Sequence, residues 1–199
     1  MKIIKFILII FFAVNVVGCG PVVVPPISYY QLDDLKLVRL PAHSKTHLTI
    51  LVSMPIPNPG YQTSAMIYML TPYELSRYAN SRWVAPPSEM LMPLLVQALR
   101  QTGYFYAVVS PPFVGMTHYR LDTRLLKLQQ EFFFPISRIR LTMEASLIKS
   151  GTNHVVANHR FEVLVPALTN NPYGGVLAAN KAAAIMSYRI AQFCAAYAR

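Results

Sequence analysis

Acidic residues are scarce in this sequence: 8 Asp and Glu stand against 18 Lys and Arg in 199 residues, a formal charge of +10. Carboxylates this few and this scattered give a carboxylate-based hydrolase little to work with. Asp33 and Asp34 are adjacent, but in a stretch that reads as a turn or a solvated edge. Cysteine is nearly absent, Cys19 and Cys194 being the two, which excludes a disulfide scaffold or a Cys-rich metal site. There is no G-x-S-x-G, no Gly-rich phosphate loop and no Cys/His cluster. His43 and His47 have helical spacing but lie in a polar loop beside Pro41, with no third ligand. His154 and His159 fall on opposite faces of a strand, with His159 inward near an edge. No catalytic residue, metal or cofactor is therefore expected, and the chain is not expected to be an enzyme.

What is plentiful is apolar, 54% of all residues, and the densest stretch comes first. Lys2 and Lys5 precede Phe6 to Val17, a run interrupted only by Asn15. Twelve residues fit a signal-peptide core and fall short of the roughly 20 that span a bilayer. Gly18, Gly20 and Pro21 close the run. Its end, Val16-Val17-Gly18-Cys19, resembles the lipobox of bacterial lipoproteins, with Val16 where Leu is commoner. That resemblance implies cleavage between Gly18 and Cys19, a diacylglycerol thioether on Cys19 and acylation of the new amine. The alternatives are a plain signal peptide cut nearby or a cysteine buried in a short anchor helix. Several acyl chains, at about 0.8 kcal/mol per buried methylene, would make a stable anchor where one holds only marginally. Gly20 follows the cysteine instead of the Asp that retains lipoproteins in the inner membrane, which favours the inner leaflet of the outer membrane. With Cys19 acylated, Cys194 has no intramolecular partner and reads as a buried small hydrophobe.

Removing residues 1–18 takes two lysines away and leaves 16 basic and 8 acidic residues, a balance of +8. The basic residues form no block, and outside the cytoplasm nucleic acid is not an expected partner. Anionic membrane surface is, beside plain solubility.

Residues 19–28 comprise the cysteine and a Pro-rich tether that holds the domain within about 28 Å of its membrane. Residues 29–199 read as a single α+β domain. A short strand is expected at 29–32. A half-buried strand is expected at 48–56, with Leu48, Ile50, Val52, Met54 and Ile56 on one face. Residues 65–70 give another strand, and 71–83 are ambiguous between strand and short helix. Ser88 is a candidate N-cap for a helix to Thr102, with Pro93 inside it and Gly103 as its stop. Tyr104 to Val109 reads as a strand. Three long strands follow. Alternation on 119–125 slips at Leu126 and Leu128, the mark of a bulge. Residues 138–148 alternate cleanly, Ser150 to Asn153 make a hairpin turn, and 155–165 turn Val155, Ala157, Phe161, Val163 and Val165 inward. An Ala-rich helix from about Tyr173 to Ala198 completes the chain.

Taken together, three features resemble the ABC-type transport auxiliary lipoproteins. These accompany MCE-type intermembrane lipid transporters, such as the paraquat-inducible system. The first is a Met-Ile-Tyr strand core leading to Trp83 and Pro86-Pro87. The second is the helix carrying Met90-Leu91, Leu94-Leu95 and Leu99, ending at Gly103-x-Phe105. The third is YRLDTRLLKLQQEF with two further strands and a helix containing AANKAAA. The resemblance covers nearly all of the mature chain. It implies a mostly antiparallel sheet with two helices on one face. It also implies a non-enzymatic accessory role beside an MCE-domain protein, its permease and its ATPase, with self-association into a homo-oligomer. A different class, an assembly or activator module for outer-membrane biogenesis or cell-wall synthesis, suits a small α+β lipoprotein as well. Trp83, Arg120 and Arg124 are the candidate partner contacts. For Trp83 the alternative is packing against the helix that starts near Ser88.

Overall fold

The computed structural model describes residues 25–33 and 46–199. The leader, Gly18, Cys19, most of the tether, Asp34 and His43 lie outside the described residues. Among the described residues the elements are β1 (Ser28–Tyr30), β2 (Thr49–Val52), β3 (Ile56–Pro57), β4 (Ala65–Met69), β5 (Ser76–Trp83), α1 (Pro87–Gln101), β6 (Ala107–Val109), β7 (Tyr119–Glu131), β8 (Arg138–Lys149), β9 (His154–Pro166) and α2 (Pro172–Tyr197). This is the expected α+β fold, a single sheet with two helices. Of the ambiguous segment 71–83, residues 76–83 form β5 and 71–75 the turn before it.

The sheet is organised on β7. Along one flank β7 pairs antiparallel with β8 for its whole length, and β8 pairs antiparallel with β9. Along the other flank three short strands take turns: β2 beside 119–121, β3 beside 124–125 and β4 beside 130–131, all parallel to β7. β6 extends β2, while β5 and then β1 extend β4. The sheet is therefore mixed, where a mostly antiparallel one was expected. The reason is that the N-terminal strands climb β7 in its own direction, and hairpin reasoning cannot reveal such non-local parallel pairs.

Proline sets several boundaries. Pro55 breaks the expected 48–56 strand into β2 and β3 and takes a buried place itself, so Met54 and Ile56 point outward instead of into the core. Helix α1 starts one residue earlier than its expected cap. Pro86 is the N-cap and Pro87 the first helical residue, where a missing N–H costs nothing, and Ser88 lies buried inside the first turn. Pro93 stays within the helix, on its exposed side. Gly103, at φ 64°, ends it in the left-handed conformation that glycine adopts without strain.

The bulge expected in β7 and the turn expected at 150–153, which joins β8 to β9, are both present. The register shifts between Leu125 and Lys127, and Asn153 carries the turn before β9 at φ 52°. A second shift, opposite Leu147 and Ile148, leaves Val156 against the core and turns Val155 outward, against expectation. His159 stands opposite Ala145 on the helix side, open to solvent because β9 is the sheet edge, with its ring 4.6 Å from Phe161.

The core lies between the sheet and the helices. Leu121, Leu125, Leu141, Met143 and Leu147 meet Leu91, Leu95 and Leu99 of α1 and Met186 and Ile190 of α2, all of them inaccessible. Ala179, Ala182, Ala183 and Ala191 let α2 lie close over β8 and β9. Cys194 is also inside, and burial pushes its thiol pKa far above the ordinary value. Two hydroxyls in this interior, Thr123 Oγ1 and Ser187 Oγ, have no hydrogen-bond partner. Thr123→Val is therefore expected to be neutral or stabilising by about 1 kcal/mol, because it removes an unmet polar group at nearly constant volume. A urea midpoint that falls would refute this.

Candidate functional site

Period-two alternation places the charged residues of β7, β8 and β9 on the sheet face away from the helices. Arg120, Asp122 and Arg124 stand there, with Ser146 opposite Asp122 and Glu144 opposite Arg124. The next strand continues the row, Arg160 facing Glu144 and Glu162 facing Thr142.

The groups on this face are paired into two clusters. At the β7 start, Arg120 Nε donates to both Asp122 oxygens, at 3.0 and 3.1 Å, and Ser53 Oγ donates to Asp122 Oδ1 at 2.7 Å. Arg124 keeps only a long contact, 3.5 Å, to Asn58 Oδ1 and is exposed. Beside it an open depression of about 350 Å³ is lined by Met54, Ile56, Asp122, Arg124, Glu144 and Ser146.

The second cluster, at the β7 end, is more deeply set. Glu131 is buried and accepts from Arg138 Nε at 3.0 Å, Arg140 Nε at 2.6 Å and Gln129 Nε2 at 3.0 Å. Arg140 also reaches across to Glu162 Oε2, 2.6 Å away. Burial pushes the Glu131 carboxyl up, but the hydrogen bonds from Arg140, Arg138 and Gln129 and the Arg140 charge outweigh it and hold the pKa below the ordinary value. Arg140 likewise holds Glu162 below that range. Gln129 in turn accepts from the hydroxyl of Tyr61, whose pKa is pushed up to about 12, by burial first and then by the Glu131 charge. Tyr61, Tyr73, Leu75, Phe133 and Arg140 border a depression of about 510 Å³ here. With its oxygens engaged and its pKa lowered, Glu131 stays ionised near neutrality and is poorly suited to take up a proton in catalysis. Its chemistry is to fix two guanidinium groups on a sheet face.

Of the sequence-derived candidates, Arg120 and Arg124 share this face, as their spacing requires. Trp83 is elsewhere. It is 3% exposed, part of the core, and its backbone N–H donates to Ser64 O at 2.8 Å. Of its two readings the structure gives packing, so the indole offers a partner no surface in this fold. The Glu131 cluster was not anticipated. Glu131 lies beyond the phase slip of β7, which hides from the sequence which face its side chain takes. Among the described residues no group of three His, Cys, Asp or Glu is placed to hold a metal. Among them, too, no helix is long and apolar enough to cross a membrane.

These features define a class, an α+β domain whose helices cover one sheet face and whose other face displays fixed charge. The chain belongs to the ABC-type transport auxiliary lipoprotein components, whose family model matches residues 30–191. No curated protein matches the sequence. Among solved structures, a Xanthomonas campestris protein of family DUF330 is similar at 19% identity and a TM-score of 0.79, over 85% of this chain and 95% of that one. An uncharacterized protein superposes with a TM-score of 0.66 at 16% identity, over 85% of this chain and 99% of its own. A hypothetical protein of Chlamydia trachomatis does so at 0.51 and 7% identity, over 76% and 99%. At these identities the likeness is one of fold.

Proposed function

We propose that this chain is the accessory lipoprotein of an MCE/ABC-type intermembrane lipid transport system. It is anchored through Cys19 in the inner leaflet of the outer membrane, faces the periplasm and performs no catalysis of its own. The observation that carries this reading is the family match over residues 30–191 directly behind the lipobox-like Val16–Cys19. In this reading the partners are an MCE-domain protein with its permease and ATPase. The charged face around Arg120 and Arg124 is the surface offered to them. Among the described residues β9 pairs with β8 alone, and its other edge suits pairing with a second copy.

Two results are expected. Cys19→Ser should move the protein from the membrane fraction to the soluble periplasm, and the wild-type N-terminal peptide should carry the mass of its acyl chains. A photo-crosslinker at Arg124 should capture the MCE protein, with permease and ATPase co-purifying from detergent extracts. Capture of an outer-membrane barrel assembly or a cell-wall synthase would decide for the assembly-module alternative. An intact detergent barrier in a deletion strain, with no MCE protein recovered, would overturn the transport reading.

A further inference from the structure

Three loops meet at one end of the domain. β4 ends beside the last residues of β7, and Phe132 N donates to Met69 O at 2.9 Å. Ala167 N donates to Ser137 O at 2.8 Å, and Ser137 N to Asn170 Oδ1 at 2.9 Å. The turns after β4, after β7 and after β9 are thereby stitched into one surface. That surface is apolar: Leu70, Leu75, Ile136 and Tyr173 are exposed there, Leu168 is 85% exposed and Tyr73 98%.

Tyr73 is held out at a cost. Its φ of 73° lies in the left-handed region, which for a bulky side chain is disfavoured by about 1–2 kcal/mol. A ring presented to water in a strained conformation is repaid by nothing within the described fold. Such strain is the mark of a position with an external role.

The tether says which partner meets this end. β1 runs parallel to β5, away from the three loops, so the chain arrives at Ser28 from their side. Ser28 is level with Ser81, whose neighbour Arg82 faces Ala65, four residues short of Met69. Ser81 is one step nearer the loops than Arg82, so Ser28 lies about 10 Å below the loop end. An extended segment the length of 19–27 reaches about 28 Å, enough to carry Cys19 past that end with roughly 18 Å to spare. The opposite end, where β7 begins, is about 26 Å from Ser28 in the other direction, so the same tether leaves almost nothing for the loop at 110–118 beyond it.

We infer that the surface built from 70–75, 132–137 and 167–173 rests in the headgroup region of the membrane that holds the anchor, with Tyr73 and Leu168 inserted. This deepens the lipoprotein reading and rests on it. Tyrosine suits the interface because its ring is apolar and its hydroxyl stays wet. Glu74, the acid in the first of these loops, is turned to Thr71 Oγ1 at 2.9 Å. Arg138 lies 3.7 Å over the Phe134 ring, a cation at the rim of an apolar surface, where anionic headgroups would meet it. Val114 and Met116, also exposed, mark the far end, directed toward the periplasm.

The test uses the full acylated chain in vesicles of phosphatidylethanolamine and phosphatidylglycerol. Single Tyr73→Cys, Leu168→Cys and Val114→Cys variants carry a nitrobenzoxadiazole label, and buried Cys194 does not compete for it. Lipids bearing a nitroxide at the headgroup should quench positions 73 and 168 on the order of threefold more than 114, with a blue shift at 73 and 168 alone. Equal quenching at both ends, quenching at neither, or quenching at 114 alone overturns the assignment. The N-terminal peptide mass, taken from the same sample, separates the two levels. An unacylated Cys19 refutes the lipoprotein reading, whereas an acylated chain with unquenched 73 and 168 refutes only the docked end.

Discussion

Replacing Glu131 with alanine is expected to lower the unfolding free energy by about 3 kcal/mol near neutral pH, the low end for breaking a buried ion pair. The cost is what remains behind. Arg138 and Arg140 both donate to this carboxylate, and without it two guanidinium groups stand side by side on one strand face. Their partial contact with solvent keeps the penalty from being larger. The lowered pKa of Glu131 makes the effect pH-dependent with a definite sign. A carboxylate whose folded pKa lies below its ordinary value of 4.5 contributes stability above that pH. The contribution is lost as pH falls through the folded value. The wild-type and Glu131→Ala stability curves should therefore lie furthest apart near neutral pH and converge in acid. Urea unfolding across that range measures it, and parallel curves would show that the cluster contributes nothing through its charge.

Gly175→Ala is expected to cost about 3 kcal/mol, the upper end of overpacking in a well-filled interior. A Cβ at Gly175 would stand 2.2 Å from Gln130 Oε1, and Gln130 has no room to yield. Its amide donates to Ser137 Oγ at 2.9 Å and to Asn171 O at 3.3 Å, and it accepts from Tyr78 Oη at 2.9 Å. One buried side chain thus ties the end of β7 to β5, to the start of β8 and to the cap of α2. Displacing it loosens all four. A double-mutant cycle with Gln130→Ala separates overlap from general damage. If overlap is the cause, the second substitution costs much less in the alanine background than in the wild type. Strict additivity would place the cause elsewhere.

Legibility in the sequence divided along the chain. From Tyr119 onward the alternation of Ile139, Leu141, Met143, Ala145 and Leu147 with polar neighbours made β8 readable, and its partners followed as hairpins. The Ala-rich α2 was equally plain. The N-terminal half was harder because β1, β3 and β6 are two or three residues long, too short to show a period. β5 keeps no single period either: the more buried positions 76 and 78 are out of phase with 81 and 83, in line with its irregular register against β4. For the site, period two sufficed to put Arg120 and Arg124 on one face. It could not carry Glu131 across the bulge at Leu125. Trp83 shows a different limit, since a tryptophan before two prolines suits an anchor or a core residue equally well until its burial is known.

The two flanks of β7 differ in when they can form. Its hairpin with β8, the β8–β9 hairpin and α2 join neighbours in sequence, and such local closures are fast. The other flank waits. β2 and β4 have nearer partners in β6 and β5, but among the described residues β2, β3 and β4 pair with no earlier strand, and all three take their central partner from residues 119–131. As the polypeptide emerges from its N-terminus, these segments stay without their central partner while about sixty further residues are supplied, a wait that grows only slowly in entropy with its length. The parallel flank is therefore the nascent chain's exposed interval, and a chaperone that guards this protein in transit would find its targets in residues 49–69.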